Sequence, residues 1–260
     1  MKKIIKSIIN LTGYEIFKKK EELLQHKDKE FEKIIKQTKK KSFLQREGME
    51  SLYRQTIHVN KSKLMGDIVE CGVWKGGSAA LMAKANLLSG NKTRTIHLFD
   101  SFTDICEPCE EKDGGRAIME AKEFSQPEEL QGKLVPLTGF YDKFGGHGTI
   151  PDCKKLICGT MEYDEKKVIF HKGWFQDTIP RISKDIDKIS ILHLDADWYE
   201  STKICLDHLY EKVEKGGFVI FDDYGTYEGC KKAVDEFMHS LANRPYLNEV
   251  DESIRYLIKS

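Results

Sequence analysis

"ISILHLDADWYESTKICLDHLYEKVEKGGFVIFDD", Ile189 to Asp223, is the stretch that decides the fold. Two short apolar runs, "ISILHLDAD" and "GGFVIFDD", flank the helical segment "YESTKICLDHLYEKV". The apolar runs are continuous rather than alternating, the pattern of strands covered on both faces. Strand, helix and strand of this kind form a parallel crossover unit. Both strands end in acids, Asp195 and Asp197 on the first and Asp222 and Asp223 on the second. Two readings stand at this point. Asp197 caps the helix that starts near Trp198 while Asp222 and Asp223 open a turn, or the acids form a site.

The same alternation extends outward. "GDIVECGVW" and "RTIHLFDSF" read as the first two strands, separated by the helix "SAALMAKANLL". "KVIFHKG" reads as a third strand, and "DTIPRI" begins a helix or turn. "EGCKKAVDEFMHSL" is a helix, and "PYLNEV" and "SIRYLIKS" are closing strands. Strands alternating with helices predict an α/β fold with a mostly parallel sheet, whose ligands sit at the carboxyl ends of the strands. The acids collect at those ends: Glu70 on strand one, Asp100 on strand two, then the two pairs.

"VECGVWKGGS", Val69 to Ser78, puts glycines just past the first strand, where backbone can approach a ligand closely. The dinucleotide fingerprint G-x-G-x-x-G is absent, because Trp74 stands at its second glycine, and there is no Walker phosphate loop. Glu70 at the strand end suits a ligand with an ammonium group. Asp100, 23 residues beyond Gly77, is placed to accept ribose hydroxyls. Together these point to an adenosine-bearing ligand without a pyrophosphate, a description that S-adenosylmethionine fits. Asp195, Asp222 and Asp223 repel one another unless a cation or protons intervene. Oxygen donors of that kind select Mg²⁺, Mn²⁺ or Ca²⁺ over Zn²⁺.

The chain has 260 residues, 40% of them hydrophobic, enough for one sizeable core with an appendage. Its formal net charge is zero, so nothing global indicates nucleic acid. Residues 1–41 hold thirteen lysines and six acids, a basic arm on an acidic body. Ile4, Ile5, Ile8 and Ile9 share one helical face there, and Gly13 breaks that helix. Such an arm suits a solvated helix, contact with an anionic membrane surface, or dimer contacts. The sequence shows no secretory signal and no membrane span. Seven cysteines, odd in number, imply free thiols in a reducing cytosol. Cys106 with Cys109, and Cys153 with Cys158, are weighed as a zinc site against unpaired thiols in an irregular insert over residues 103–165.

From Gly66 to about Met238 the chain resembles the macrocin O-methyltransferase family, whose members methylate deoxysugar hydroxyls. The matching motifs are "VECGVWKGGSAALM", "LFDSF", "GWFQDTIP", "LHLDADWYEST", "GGFVIFDDYGT" and "GCKKAVDEF", in similar order and spacing. The resemblance implies a class I methyltransferase fold, Rossmann-like with a seven-stranded sheet and helices on both faces, using S-adenosylmethionine and Mg²⁺. It makes Asp195, Asp222 and Asp223 the metal ligands and Asp197 the general base. Glu70, Gly72, Val73, Trp74 and Ser78 would line the methionine part of the cofactor, with Asp195 beside them. Asp100, Ser101 and Phe102 would serve the ribose, and Gly173, Trp174 and Phe175 the adenine side. Residues 1–60 would form an N-terminal helical arm or lid, and 61–260 the methyltransferase domain, with 103–165 as lid and acceptor insert. The expected function is methylation of a sugar hydroxyl on a glycan or nucleotide-linked acceptor by a cytoplasmic homo-oligomer, in surface-glycan or secondary-metabolite synthesis. A catechol-type methyltransferase and a metal-dependent hydrolase are the alternatives.

Overall fold

The computed structural model describes residues 29–260. The expected helix over Ile4 to Ile9 and its break at Gly13 lie outside them. The chain divides into two compact units after Gln37. Helix α1, Lys29–Thr38, carries Glu30 and Glu32 in its first turn and buries Phe31, Ile34 and Ile35.

The second unit opens with α2, Arg46–Lys61, and continues β1 (Asp67–Cys71), α3 (Gly77–Leu88) and β2 (Ile96–Asp100). The insert holds α4, Glu110–Ser125, and the short α5, Ile150–Lys154, which runs into a π-helical turn. Then come β3 (Val168–Lys172), α6 (Phe175–Ile182), β4 (Ile189–Leu194), α7 (Tyr199–Leu209) and β5 (Val213–Phe221). Helix α8 (Glu228–Ser240) and strands β6 (Asn248–Glu249) and β7 (Arg255–Ile258) complete it. The strands form one seven-stranded sheet in the order β3-β2-β1-β4-β5-β7-β6, with only β7 antiparallel to its neighbours. The expected fold class therefore holds. The helix after β4 is shorter than expected, with Tyr210–Lys212 tightening into a 3₁₀ turn before β5.

Side-chain alternation assigns the two faces of the sheet. Val69, Cys71, Leu192, Leu194, Val219 and Phe221 pack in one cluster with Cys205, Leu206 and Leu209 of α7. Each such side chain, fully buried, contributes roughly 1.5–3 kcal/mol. The intervening residues, Glu70, His193 and Ile220, point to the opposite face and are buried too. Helix α2 packs on α3, while α6, α7 and α8 pack in succession.

The ladder runs on past the strand ends and carries the loops with it. Asp195 N–H donates to the Cys71 carbonyl at 2.8 Å, Asp222 N–H to Leu194 at 2.9 Å, and Gly173 N–H to Asp100 at 3.0 Å. The chain parts between β1 and β4: β2 and β3 lie to one side, β5 to the other. That divide opens a crevice at the carboxyl ends. Gly72 stands in it with φ +90°, and a Cβ there would fall on the backbone oxygen of Asp195. Gly72→Ala is therefore expected to lower the melting temperature by about 4–8 °C, equivalent to roughly 2 kcal/mol of strain and displacement. A melt within 1 °C of wild type would show that β4 yields there at little cost.

Candidate active site

Above the carboxyl ends lies a cavity of about 760 Å³, within the range that holds a small-molecule ligand. Its floor is made by Gly72, Trp74, Asp100, Ser101 and Gly173 from the first three strand ends. Asp195, Asp197, Asp222 and Asp223 enter from the ends of β4 and β5. Trp174 and Phe175 line it as well. Glu70, Val73, Ser78 and Phe102, expected beside the cofactor, do not line the cavity. Val73 donates its N–H to Asp100, Ser78 is buried in the first turn of α3, and Phe102 packs edge-on against Phe170. Glu70 is fully buried beneath the floor, its Oε1 2.9 Å from His193 Nδ1.

Asp100 holds the glycine loop in shape. Its Oδ2 accepts from the N–H groups of Val73 at 2.7 Å and Trp74 at 3.0 Å, and its Oδ1 from Phe102 at 2.6 Å. Each oxygen has two lone pairs, so Oδ1 retains one for a ligand hydroxyl. Trp74 has φ +44°, so the residue that replaces the fingerprint glycine still adopts a backbone suited to glycine. Phe102 and Asp197 are also left-handed, at φ +50° and +54°. Three of the six non-glycine residues with positive φ among the described residues thus stand at strand ends around the site, each at some cost in backbone strain.

The cap reading of Asp197 is answered here. Helix α7 has Trp198 at its N-cap position, with no side-chain cap. Its first-turn donor Tyr199 N–H is satisfied by Asp113 Oδ1 of α4, at 2.6 Å. Asp113 Oδ2 accepts from Cys109 N–H at 2.7 Å, so one insert carboxylate stitches α4 to α7 and leaves Asp197 free to face the cavity. Asp223 does open a turn, its carbonyl accepting from Thr226 and Tyr227, while its Oδ2 accepts from Asp197 N–H at 3.0 Å.

Oxygens of Asp195, Asp197 and Asp223 lie within 4.8 Å of one another. The expected metal set named Asp222 instead of Asp197. Asp222 lines the same cavity, but its Oδ1 is turned to His193 Nε2 at 3.5 Å. Among the described residues, Asp195, Asp197 and Asp223 are the one group of His, Cys, Asp or Glu this close. The four insert cysteines do not converge, and all seven cysteines are free. Burial, then the neighbouring carboxylates of Asp222, Asp223 and Asp197, push Asp195 well above the carboxylate range. Burial and the carboxylates of Asp197 and Asp222 do the same to Asp223. Burial first, then Asp222 and Glu120, raise Asp197 to about 7. All-oxygen donors that destabilise one another's charge are the chemistry of a hard divalent cation site, so the residues fit such an ion.

The rest of the cavity belongs to residues with no motif to announce them. Phe43, just before α2, stacks on Trp74 with centroids 4.1 Å apart and meets Phe144 edge-on at 4.9 Å. Lys75 Nζ donates to the Phe144 and Gly145 carbonyls at 2.8 and 2.9 Å, and Trp74 Nε1–H to Gly146 at 3.3 Å. Insert, glycine loop and the segment before α2 thus close together over the cavity, with Tyr141 lining it. On the other side Tyr227 O–H donates to Glu120 Oε2 at 2.6 Å, and Arg116 Nε–H to Glu120 Oε1 at 3.0 Å. The nearest sequence signal is Tyr227's place just beyond Asp222 and Asp223. Phe43 sits in a charged stretch that offers none.

The family model for macrocin-O-methyltransferase (TylF) matches residues 17–132 and 159–259. The chain belongs to the macrocin-O-methyltransferase family. It is 31% identical over 191 residues to demethyldecarbamoylnovobiocin O-methyltransferase of Streptomyces niveus, covering 73% of this chain and 64% of that protein. It is 28% identical over 196 residues to mycinamicin III 3''-O-methyltransferase of Micromonospora griseorubida, covering 75% and 69%. The chain thus spans less than two thirds of the novobiocin relative's length. The structure of the O-methyltransferase NovP matches with a TM-score of 0.69 at 28% identity, over 85% of this chain and 82% of that one. The calicheamicin methyltransferase CalS11, at 22% identity and a TM-score of 0.56, shares the fold. The macrocin-O-methyltransferase model leaves out residues 133–158, the part of the insert that carries Phe140, Tyr141 and Phe144.

The acid cluster has a pH signature in the metal-free protein. Asp197 keeps its proton to about 7 when folded, against 3.8 for an ordinary aspartate. The folded state therefore binds more protons across that window, and stability falls as pH rises through it. In EDTA-treated protein, Asp197→Asn is expected to raise the melting temperature on the order of 5 °C at pH 8 and to leave it unchanged below pH 4. An equal effect at both pH values would show that no carboxylate repulsion is stored there.

Proposed function

We propose that this chain transfers a methyl group from S-adenosylmethionine to a sugar hydroxyl, with the help of a divalent cation, Mg²⁺. One observation carries the reading: the carboxylates at the ends of β4 and β5 share a single cavity with the glycine loop, Asp100 and Gly173. A hydrolase reading accounts for the acids but gives no use to the loop and Asp100. The names of the relatives, all O-methyltransferases, support the same class. A rhamnosyl group in one of those names supports a sugar acceptor. A neighbour of the same fold, the Bacillus cereus O-methyltransferase, was solved with S-adenosylhomocysteine. The seven free thiols fit a reducing cytosol. Among the described residues no helix is long and apolar enough to cross a membrane.

In this reading Asp195 and Asp223 hold the cation together with the Asp222 oxygen that does not face His193, and Asp197, whose oxygen lies within 4.8 Å of those of Asp195 and Asp223, is the base. When bound, S-adenosylmethionine would supply an electrophilic methyl group and the cation would lower the pKa of an acceptor hydroxyl. The chain's own part is orientation, proton transfer and exclusion of water. Gly72 lets the backbone come close to the cofactor, and Asp100 Oδ1 receives a ribose hydroxyl. Asp197 takes the proton of the acceptor hydroxyl, from a backbone position tied to Asp223. The Phe43–Trp74 stack and Tyr141 wall one side of the cavity, which limits the access of water to the charges inside.

Saturating S-adenosylhomocysteine is expected to raise the melting temperature by several degrees, with a further rise on adding Mg²⁺. No shift at saturating ligand would remove the methyltransferase reading. In a screen of glycosides and nucleotide sugars for S-adenosylhomocysteine release, Asp197→Asn should lower turnover by about 10²–10⁴-fold. Near-normal turnover in that variant would take the base role from Asp197. Full activity after EDTA stripping would take the cation out of the reaction.

A further inference from the structure

Directly under the acid cluster, three ionisable side chains are buried within the sheet. Glu70 of β1 and His193 of β4 are paired in register and both are fully buried. His193 Nδ1 lies 2.9 Å from Glu70 Oε1, and its Nε2 lies 3.5 Å from Oδ1 of Asp222, just past the end of β5. The imidazole thus spans β4 and links an acid on one neighbouring strand to an acid beyond the other. Five buried side-chain polar atoms among the described residues have no hydrogen-bond partner, and three of them sit here: Glu70 Oε2, His193 Nε2 and Asp222 Oδ1. His193 Nε2 and Asp222 Oδ1 face each other just short of a hydrogen bond and Glu70 Oε2 has no counterpart, so a buried polar cluster this incompletely satisfied calls for a cause beyond stability.

Packing does not supply that cause. The same position on the other side of the strand is filled by apolar neighbours, Leu192 and Leu194, without difficulty. What distinguishes this face is Asp222, which lines the cavity with one edge and meets His193 with the other. With Oδ1 directed at His193, Oδ2 is the oxygen left for a cation. We propose that His193 is a positioning residue for the cation site: anchored on Glu70, it fixes the Oδ1 edge of Asp222 and so turns the opposite edge to the cavity. This rests on the cation reading above. It also gives Glu70 a role at the site although it does not line the cavity. Groups that orient a metal-ligating carboxylate from behind typically contribute 10–100-fold in metal affinity.

The test uses two variants that cut the imidazole differently. In His193→Asn the amide reaches the Nδ1 position and keeps the contact with Glu70, but nothing reaches Asp222. In His193→Gln the amide reaches the Nε2 position and keeps the contact with Asp222. Mn²⁺ is titrated into EDTA-stripped, S-adenosylhomocysteine-loaded protein and followed by electron paramagnetic resonance, with circular dichroism as the folding check. His193→Asn is expected to weaken Mn²⁺ binding by about 10–100-fold, and His193→Gln by less than about 3-fold. S-adenosylhomocysteine affinity without metal is expected to be unchanged in both. Wild-type Mn²⁺ affinity in His193→Asn, or equal weakening in both variants, overturns the proposal in favour of a purely structural role. Should His193→Asn fail to fold, Glu70→Gln loosens the anchor at constant shape and is expected to weaken Mn²⁺ by about 3–10-fold; unchanged binding there overturns the proposal too. Wild-type protein that binds no Mn²⁺ overturns the cation reading itself, and this positioning role with it.

Discussion

Mutual repulsion among four carboxylates at one rim of the sheet is the constraint on which the rest of the structure depends. Parallel pairing of β1, β4 and β5 brings the ends of the three strands level, and the ladder continues one residue further through Asp195 and Asp222. The acids cannot separate without breaking those hydrogen bonds. Asp195, Asp197 and Asp223 therefore hold their protons more tightly than an ordinary aspartate, and a hard cation would relieve the repulsion that causes it. Neighbouring features answer to this. Gly72 lets the Asp195 backbone pass, Asp197 takes a left-handed backbone, and His193 stands behind Asp222.

A second layer of the design is how the insert joins the core. Asp113 supplies the missing cap of α7, and Glu120 takes the Tyr227 hydroxyl, so α4 is tied to both acid-bearing loops. Beyond α4, the aromatic rings of residues 140–144 close over Trp74 and Phe43. The family model leaves out residues 133–158, and that stretch supplies Phe140, Tyr141, Phe144 and Gly148 to the cavity lining. Its exposed residues, Lys143 and Phe144 among them, are free to change, whereas Leu137, Phe140, Cys153 and Ile157 are buried and are not. The cavity floor has no such freedom, because its backbone is part of the sheet.

Much of this was legible in the chain. Continuous apolar strands, each closed by an acid, announce a parallel sheet with its site at the carboxyl ends, and the motif order announces the family. Gly72, Trp74, Asp100, Ser101, Gly173, Trp174, Phe175 and the four aspartates all line the cavity as the motifs suggest. Glu70 was harder to read. A strand-end acid next to a glycine loop looks ligand-facing, yet the period of two turns it to the face of His193, below the floor. Asp113, Phe43 and Tyr141 carry no local signal, since each acts on a partner dozens of residues away.

The sequence by itself determined the run of strands and helices, their parallel class and the loops that bear the chemistry, because hydrophobic period and strand-end acids are local properties. Only the tertiary structure decided which carboxylate faces which partner. Asp195 and Asp197 are two residues apart, and so share a strand end, but the direction of each depends on β5 and on the insert. Asp222 and Asp223 are adjacent in sequence, yet one leans on a buried histidine and the other on the Asp197 backbone. That division is set by contacts between strands, and no pattern within one strand encodes it.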